Sequence, residues 1–187
     1  LSFIPHLNEL IASFRKKGKE FAHIIKMGRT QLQDAVPMTL GQTFNGFASI
    51  LQDEVKHLEE AAADFLTVNM GATAIGTGIC AEPGYAEKCV EAMRDITGFD
   101  FQLSGDLVGA TSDTSCMVGY SSALRRVAVK VNKICNDLRL LGCGPRCGLT
   151  EFNLPAMQPG SSIMPGKVNP VIPEVMNQIC YKVMGND

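Results

Sequence analysis

The sequence predicts an all-α protein, a bundle of long helices joined by glycine-rich loops. Three observations carry that expectation. After Asp113, apolar residues recur at spacings of three and four through Met117, Tyr120, Leu124, Val127, Val131, Ile134, Leu138 and Leu141. Thr39 and Gln42 form a T-x-x-Q capping pair just after the helix-breaking Pro37. Strand-type alternation of apolar and polar residues is absent throughout.

The elements follow in chain order. Leu7, Leu10, Ile11, Phe14, Phe21 and Ile25 predict a first helix from Leu7 to Lys26. The capping pair starts a second, running to about Val68, whose stripe is Leu40, Phe44, Phe47, Leu51, Val55, Leu58, Ala62 and Phe65. A shorter helix from Tyr85 to Ile96 ends at Gly98. The 114–141 helix has a second apolar face of Ala123, Ala128, Val129, Cys135 and Leu140, so it is expected to be buried on several sides. Ser112 or Asp113 can cap its start, and Gly142 and Gly144 end it. The last helix begins near Val171, with Ile172, Val175, Ile179 and Val183 on one face and Pro170 and Pro173 where a first turn tolerates them.

Composition narrows the function. The chain has 187 residues, 45% hydrophobic and 19% charged, and a formal net charge of −2. That balance gives no electrostatic case for nucleic acid or an anionic membrane. A mean hydropathy of +0.08 is high for a lone domain and implies surface buried against partners. No apolar run approaches the ~20 residues of a membrane span. Leu1 to Glu9 lacks the basic start and cleavage site of a signal peptide. Seven scattered cysteines, an odd number, fit reduced thiols in a cytoplasmic protein. Cys143 and Cys147 are close, but no further His or Cys pair completes a metal site.

The informative polar residues sit in the loops. Gly160-Ser161-Ser162-Ile163-Met164-Pro165-Gly166-Lys167-Val168-Asn169-Pro170 sets two hydroxyls, a lysine and an amide ahead of a helix N-terminus. Such a loop can bind an anion, most simply a carboxylate, and one serine can accept a proton if its alkoxide is stabilised. A flexible connector with a solvated lysine accounts for the same spacing. Thr30 and Gln31 can bind a carboxylate or an amine, or can simply form a helix-ending turn before Asp34. Gly71–Gly78 lacks the order of a phosphate-binding P-loop; it reads as a tight crossover in which Thr73 and Thr77 are free to hydrogen-bond. Glu174 suits the first turn of the last helix and can orient a polar neighbour, or can be a plain N-terminal acid. Arg146 can bind a carboxylate or anchor its own loop.

These stretches resemble the aspartase/fumarase superfamily. Gly160 to Asn169 is similar to its long signature, and Gly28–Gln42, Thr73–Gly78, Asn136–Leu140 and Gly144-Pro145-Arg146 follow in the family's order. The resemblance covers nearly the whole chain and is nearest to the ammonia-lyase branch, the aspartases. Lys26 to Gln42, Ala110-Thr111-Ser112-Asp113 and Val171 to Gln178 are the stretches that carry this. It implies a fragment, residues 1–187, of the central helical domain, with the N- and C-terminal domains absent. It also implies reversible elimination of ammonia from L-aspartate to give fumarate. By family match Ser161 is the general base. Ser162, Lys167 and Asn169 bind carboxylate, Thr30 and Gln31 orient the substrate, and Glu174, Met164, Thr73 and Thr77 support the site.

No cofactor and no metal ligand are implied, and the family assembles as homotetramers whose sites draw on three chains. The isolated stretch is therefore expected to be inactive. Class II fumarases carry His at the position of Gln31, paired with the acid matching Glu174; Gln31 cannot form that charge pair. A second departure is Ile79-Cys80, where the family usually has Leu-Asn. Fumarase, another lyase acting on a substituted succinate, and a helical protein that keeps the loops without turnover remain the alternatives.

Overall fold

A computed structural model describes residues 2–187; Leu1, at the head of the stretch read as lacking a leader, lies outside the described residues. The described residues divide into two compact units, residues 57–123 and residues 2–56 with 124–187. Two long helices, α2 (Leu40–Ala63) and α5 (Ser115–Leu141), contribute residues to both.

The larger unit opens with α1 (Phe3–Glu20), which buries Ile4, Leu7 and Ile11. The helix stops six residues before the expected Lys26. Phe21 and Ala22 turn out of it, and a hairpin follows instead: β1 (Ile25–Thr30) and β2 (Gln33–Thr39), antiparallel. This corrects the expectation of a chain without strands. The correction is local, because the hairpin and one two-residue pairing in the smaller unit are the strands among the described residues. Gln31 and Leu32, at φ +50° and +63°, make the two-residue turn, so both central residues take the left-handed conformation of a type I′ hairpin. Register shifts between Gly28 and Arg29, where Gly28 opposes Val36 and Arg29 opposes Asp34; Ala35 is the extra, bulged residue.

The capping box forms as read. Thr39 N–H donates to Gln42 Oε1 at 2.8 Å, and Gln42 N–H donates to Thr39 Oγ1 at 3.1 Å. Helix α2 then buries Leu40, Phe44, Phe47, Leu51 and Val55 on the predicted stripe. Gly41 lies so close to Gly18 O and Ala22 that a Cβ there would overlap backbone. A cluster of Phe14, Phe21, Phe44, Phe47 and Phe152, ring centroids 5.6 to 6.3 Å apart, closes this end of the core.

Against α2, α5 buries Val127, Ala128, Val131, Ile134 and Cys135. Glu54 of α2 is fully buried between two cations of α5. Arg126 donates to both of its oxygens at 3.0 and 3.1 Å, and Lys130 Nζ lies 2.5 Å from Oε1 while donating to Ile50 O at 2.8 Å. α6 (Val171–Asn186) meets α5 through a polar knot. Arg139 Nη1 donates to Asn177 Oδ1 at 3.1 Å; Asn177 Nδ2 donates to Asn132 O at 3.1 Å and to Asn132 Oδ1 at 2.5 Å. The side of α6 that is buried carries Asn177 and Cys180. Ile172, Val175 and Ile179, the face singled out from sequence, are about half exposed. Met117, Val118, Val129 and Leu140 of α5 are exposed too, so the expected burial on several sides is partial within this chain.

The smaller unit continues from α2 through a 3-10 turn, Asp64–Leu66, into β3 (Thr67–Val68). It holds α3 (Tyr85–Thr97), closed by left-handed Gly98 as expected, and β4 (Gln102–Leu103), which pairs in parallel with β3. A short helix not anticipated from sequence, α4 (Leu107–Ser112), starts on Asp106, whose carboxylate accepts from the N–H groups of Val108 and Gly109. Asp113 then caps α5, accepting from Ser115 N at 2.8 Å. No helix among the described residues is long and apolar enough to cross a membrane.

Candidate active site

The 160–170 loop takes its shape from short backbone contacts rather than from regular structure. Lys167 N–H donates to Met164 O at 3.1 Å, and Gly160 packs against Gly166 and Lys167, bringing the two limbs of the loop together. Ser161 is half-buried at the start. Its Oγ accepts from Ile163 N–H and Met164 N–H, each at 3.3 Å. Two donors aimed at a hydroxyl oxygen favour its anionic form over the neutral one. Ser162, Met164 and Lys167 are exposed, and Asn169 is half-buried. Glu174 sits in the first turn of α6, exposed, where its charge favours the helix dipole.

Lys167 and Asn169 line a cleft of about 350 Å3 together with Gly142, Gly144, Pro145, Asn153 and Leu154. Two of the loops singled out from sequence therefore meet. Arg146 is exposed beside this cleft rather than on its wall. Thr30 and Gln31 lie at the exposed tip of the hairpin, and among the described residues no side-chain hydrogen bond joins them to Ser161, Lys167 or Asn169.

The hairpin has an anchor that sequence reasoning missed. Glu151, largely buried, pairs with Lys26 Nζ at 2.9 Å and makes a very short contact with Arg29 Nη1; Arg29 Nε also lies 3.3 Å from Asp34. Burial pushes the Glu151 carboxyl up, but the hydrogen bonds and charges of Arg29 and Lys26 outweigh it and hold the group below the usual carboxylate range. A lone Glu in a loop gives no sequence signal. Only the pairing across more than a hundred positions reveals it.

In the smaller unit, Thr73 and Thr77 are exposed on the crossover read from sequence. Ala72 O accepts from the N–H groups of Gly76 and Gly78, both at 3.1 Å. Gly76, at φ +94°, is pressed onto the Leu107–Val108 backbone. Cys80, the departure from the family pattern, has φ +67°, a conformation in which Asn is strongly favoured over other non-glycine residues. This gives a backbone reason for the usual amide. Among the described residues, no group of three or more His, Cys, Asp or Glu side chains is placed to hold a metal, and the cysteines are free thiols.

A family profile described as "Lyase" matches residues 2–185, and the chain belongs to that lyase family. The chain is 58% identical over 186 residues to the aspartate ammonia-lyase of Corynebacterium glutamicum, covering 100% of this chain and 35% of that protein. It is 56% identical to the aspartate ammonia-lyase of Pseudomonas aeruginosa, covering 100% and 40%. For that of Escherichia coli K12 the figures are 54%, 100% and 39%. Among solved structures, fumarate lyase:delta crystallin from Brucella melitensis superposes with a TM-score of 0.93 at 59% identity, covering 96% of this chain and 39% of that one. Class II fumarase from Schistosoma mansoni superposes at 0.90 with 36% identity, covering 98% and 41%. The chain thus spans 35% to 40% of the length of these curated relatives, and the helical-bundle expectation holds for it with the hairpin added.

Proposed function

We propose that the protein carrying this chain is an ammonia-lyase that reversibly eliminates ammonia from L-aspartate to give fumarate. The observation that carries the proposal is the Ser161 loop, whose hydroxyl oxygen already accepts two backbone N–H groups beside a Lys167–Asn169 cleft. The choice of aspartate is supported by 54% to 58% identity to aspartate ammonia-lyases along the whole chain.

The chemistry asks for what the loop offers. The Cβ proton of aspartate is weakly acidic, so its removal leaves a dianionic aci-carboxylate that needs stabilising. Ser161, as alkoxide, takes that proton. The C–H electron pair delocalises into the neighbouring carboxylate, held by Ser162 and the loop's N–H groups. Lys167 and Asn169 bind carboxylate oxygens, and Thr30 and Gln31 orient the α-carboxylate and the amine. The pair returns to form the double bond as the Cα–N bond breaks, and the nitrogen, already protonated as ammonium, takes the Cα–N bonding pair and leaves as neutral ammonia, so no separate acid is required. Met164, Thr73, Thr77 and Glu174 support these groups. No cofactor is assigned a step.

Fumarase is the second reading, favoured by the superposition on a class II fumarase. It is disfavoured by Gln31, a neutral amide that cannot share a charge with Glu174. We further propose a cytoplasmic homotetramer whose sites combine several chains, supported by the free thiols and by the exposed apolar faces of α5 and α6. The full-length protein should produce ultraviolet-absorbing fumarate from L-aspartate, and Ser161→Ala should lower kcat by at least ~100-fold with KM little changed. Turnover of malate but not aspartate would reassign the substrate. Unchanged kcat in the variant would remove Ser161 as the base.

A further inference from the structure

We infer that Glu151 is a positioning residue, a buried clamp that holds the hairpin carrying Thr30 and Gln31. The inference rests on the lyase reading for its functional readout, but its geometry stands apart from that reading. Glu151 is itself fixed on both sides. Its N–H donates to Leu141 O at the end of α5 at 2.9 Å, and Thr150 N–H donates to Cys143 O at 2.9 Å. The next residue, Phe152, lies against Phe44 of α2, with ring centroids 6.3 Å apart. The carboxylate therefore projects from a rigid base.

From there it takes both cations of β1. In a regular strand, residues three apart face opposite sides of the sheet. Lys26 and Arg29 are three apart, yet both reach the same carboxylate. Both side chains are long enough to converge on it, beside the bulge that Ala35 makes in the opposing strand. One acid therefore grips β1 twice. Arg29 directly precedes Thr30, so the grip ends at the first proposed substrate contact. Gln31, held at φ +50°, needs a determined surrounding to stay in a conformation that side chains seldom adopt. At the exposed tip Arg29 supplies that determination, paired across the turn with Asp34 and held from the rigid base by Glu151.

The test uses the full-length protein with Glu151→Ala, Glu151→Gln and Glu151→Asp, read by kinetics and by amide hydrogen exchange. Glu151→Ala should raise KM for L-aspartate at least tenfold, with a smaller fall in kcat. Exchange should accelerate across residues 25–39 while the α2 core stays protected. Glu151→Gln, which keeps the shape without the charge, should show the same pattern more weakly, and Glu151→Asp should recover KM to within threefold of wild type. Unchanged hairpin exchange overturns the clamp, as does KM within twofold of wild type in Glu151→Ala. A uniform loss of protection that includes α2 also overturns it, by making Glu151 a general stabiliser. If wild type does not turn over aspartate, the lyase reading fails instead, and the exchange pattern alone decides the clamp.

Discussion

Replacing Glu54 by glutamine removes one charge from a site where three charged groups meet, and the structure sets the size of the effect. Burial pushes the Glu54 carboxyl up, but the Arg126 and Lys130 hydrogen bonds more than compensate and bring it from 4.5 to about 2. That difference corresponds to about 3 kcal/mol of folding stability. Because the folded-state value lies below the unfolded one, the contribution is fully present above about pH 5. It is lost as pH falls from about 4.5 towards 2, and roughly half remains at pH 3. The variant retains the volume but leaves Arg126 and Lys130 without their acid. Arg126 is 54% exposed and can be rehydrated, which keeps the loss near 3 kcal/mol, the lower end for breaking a buried pair. Urea unfolding of both proteins at pH 7, 5, 4 and 3, at one fixed concentration, should show a gap that narrows steadily with acidity. A gap below about 1 kcal/mol at pH 7, or one that is constant down to pH 3, would refute this account of Glu54.

Two further outcomes follow from the geometry. Gly76→Ala should destabilise by about 3 kcal/mol, since its Cβ would run into the Leu107–Val108 backbone at a left-handed φ. Gly84→Ala, equally left-handed at φ +78° but facing open space, should cost only about 1 kcal/mol, and thermal unfolding of the pair separates crowding from dihedral strain. For assembly, sedimentation of the full-length protein at micromolar concentration should give a tetramer; a stable monomer would sink the proposed oligomer.

The sequence made the helices legible where one face is continuous. Leu40 to Leu58 kept its stripe, the Thr39–Gln42 box formed, and Gly98 stopped α3, because each is decided by residues within a turn or two. The hairpin was invisible for equally physical reasons. Residues 33–37 of β2 are all exposed, so no buried face enforces alternation, and Pro37 sits inside the strand. Its turn uses Gln31-Leu32 rather than the Asn-Gly pair that marks such turns. Phe21 and Ile25 meanwhile continued the four-residue step of α1, which lengthened that helix on paper. For the site, the Gly160–Pro170 loop was legible as polar groups before a helix. Glu151 was not, because its meaning lies in partners more than a hundred residues away.

Asn177 gives the α5–α6 pairing a vernier. Apolar helix faces are forgiving of sliding, since a leucine-sized contact can be exchanged for the next one along. An amide hydrogen-bonded to Asn132 and Arg139, two turns apart on α5, has no such second position. A slip of one turn would carry α6 by about 5.4 Å and strand the amide away from its partners. The Ser161 loop runs directly into α6, so the notch that indexes the helix also sets the point from which that loop departs.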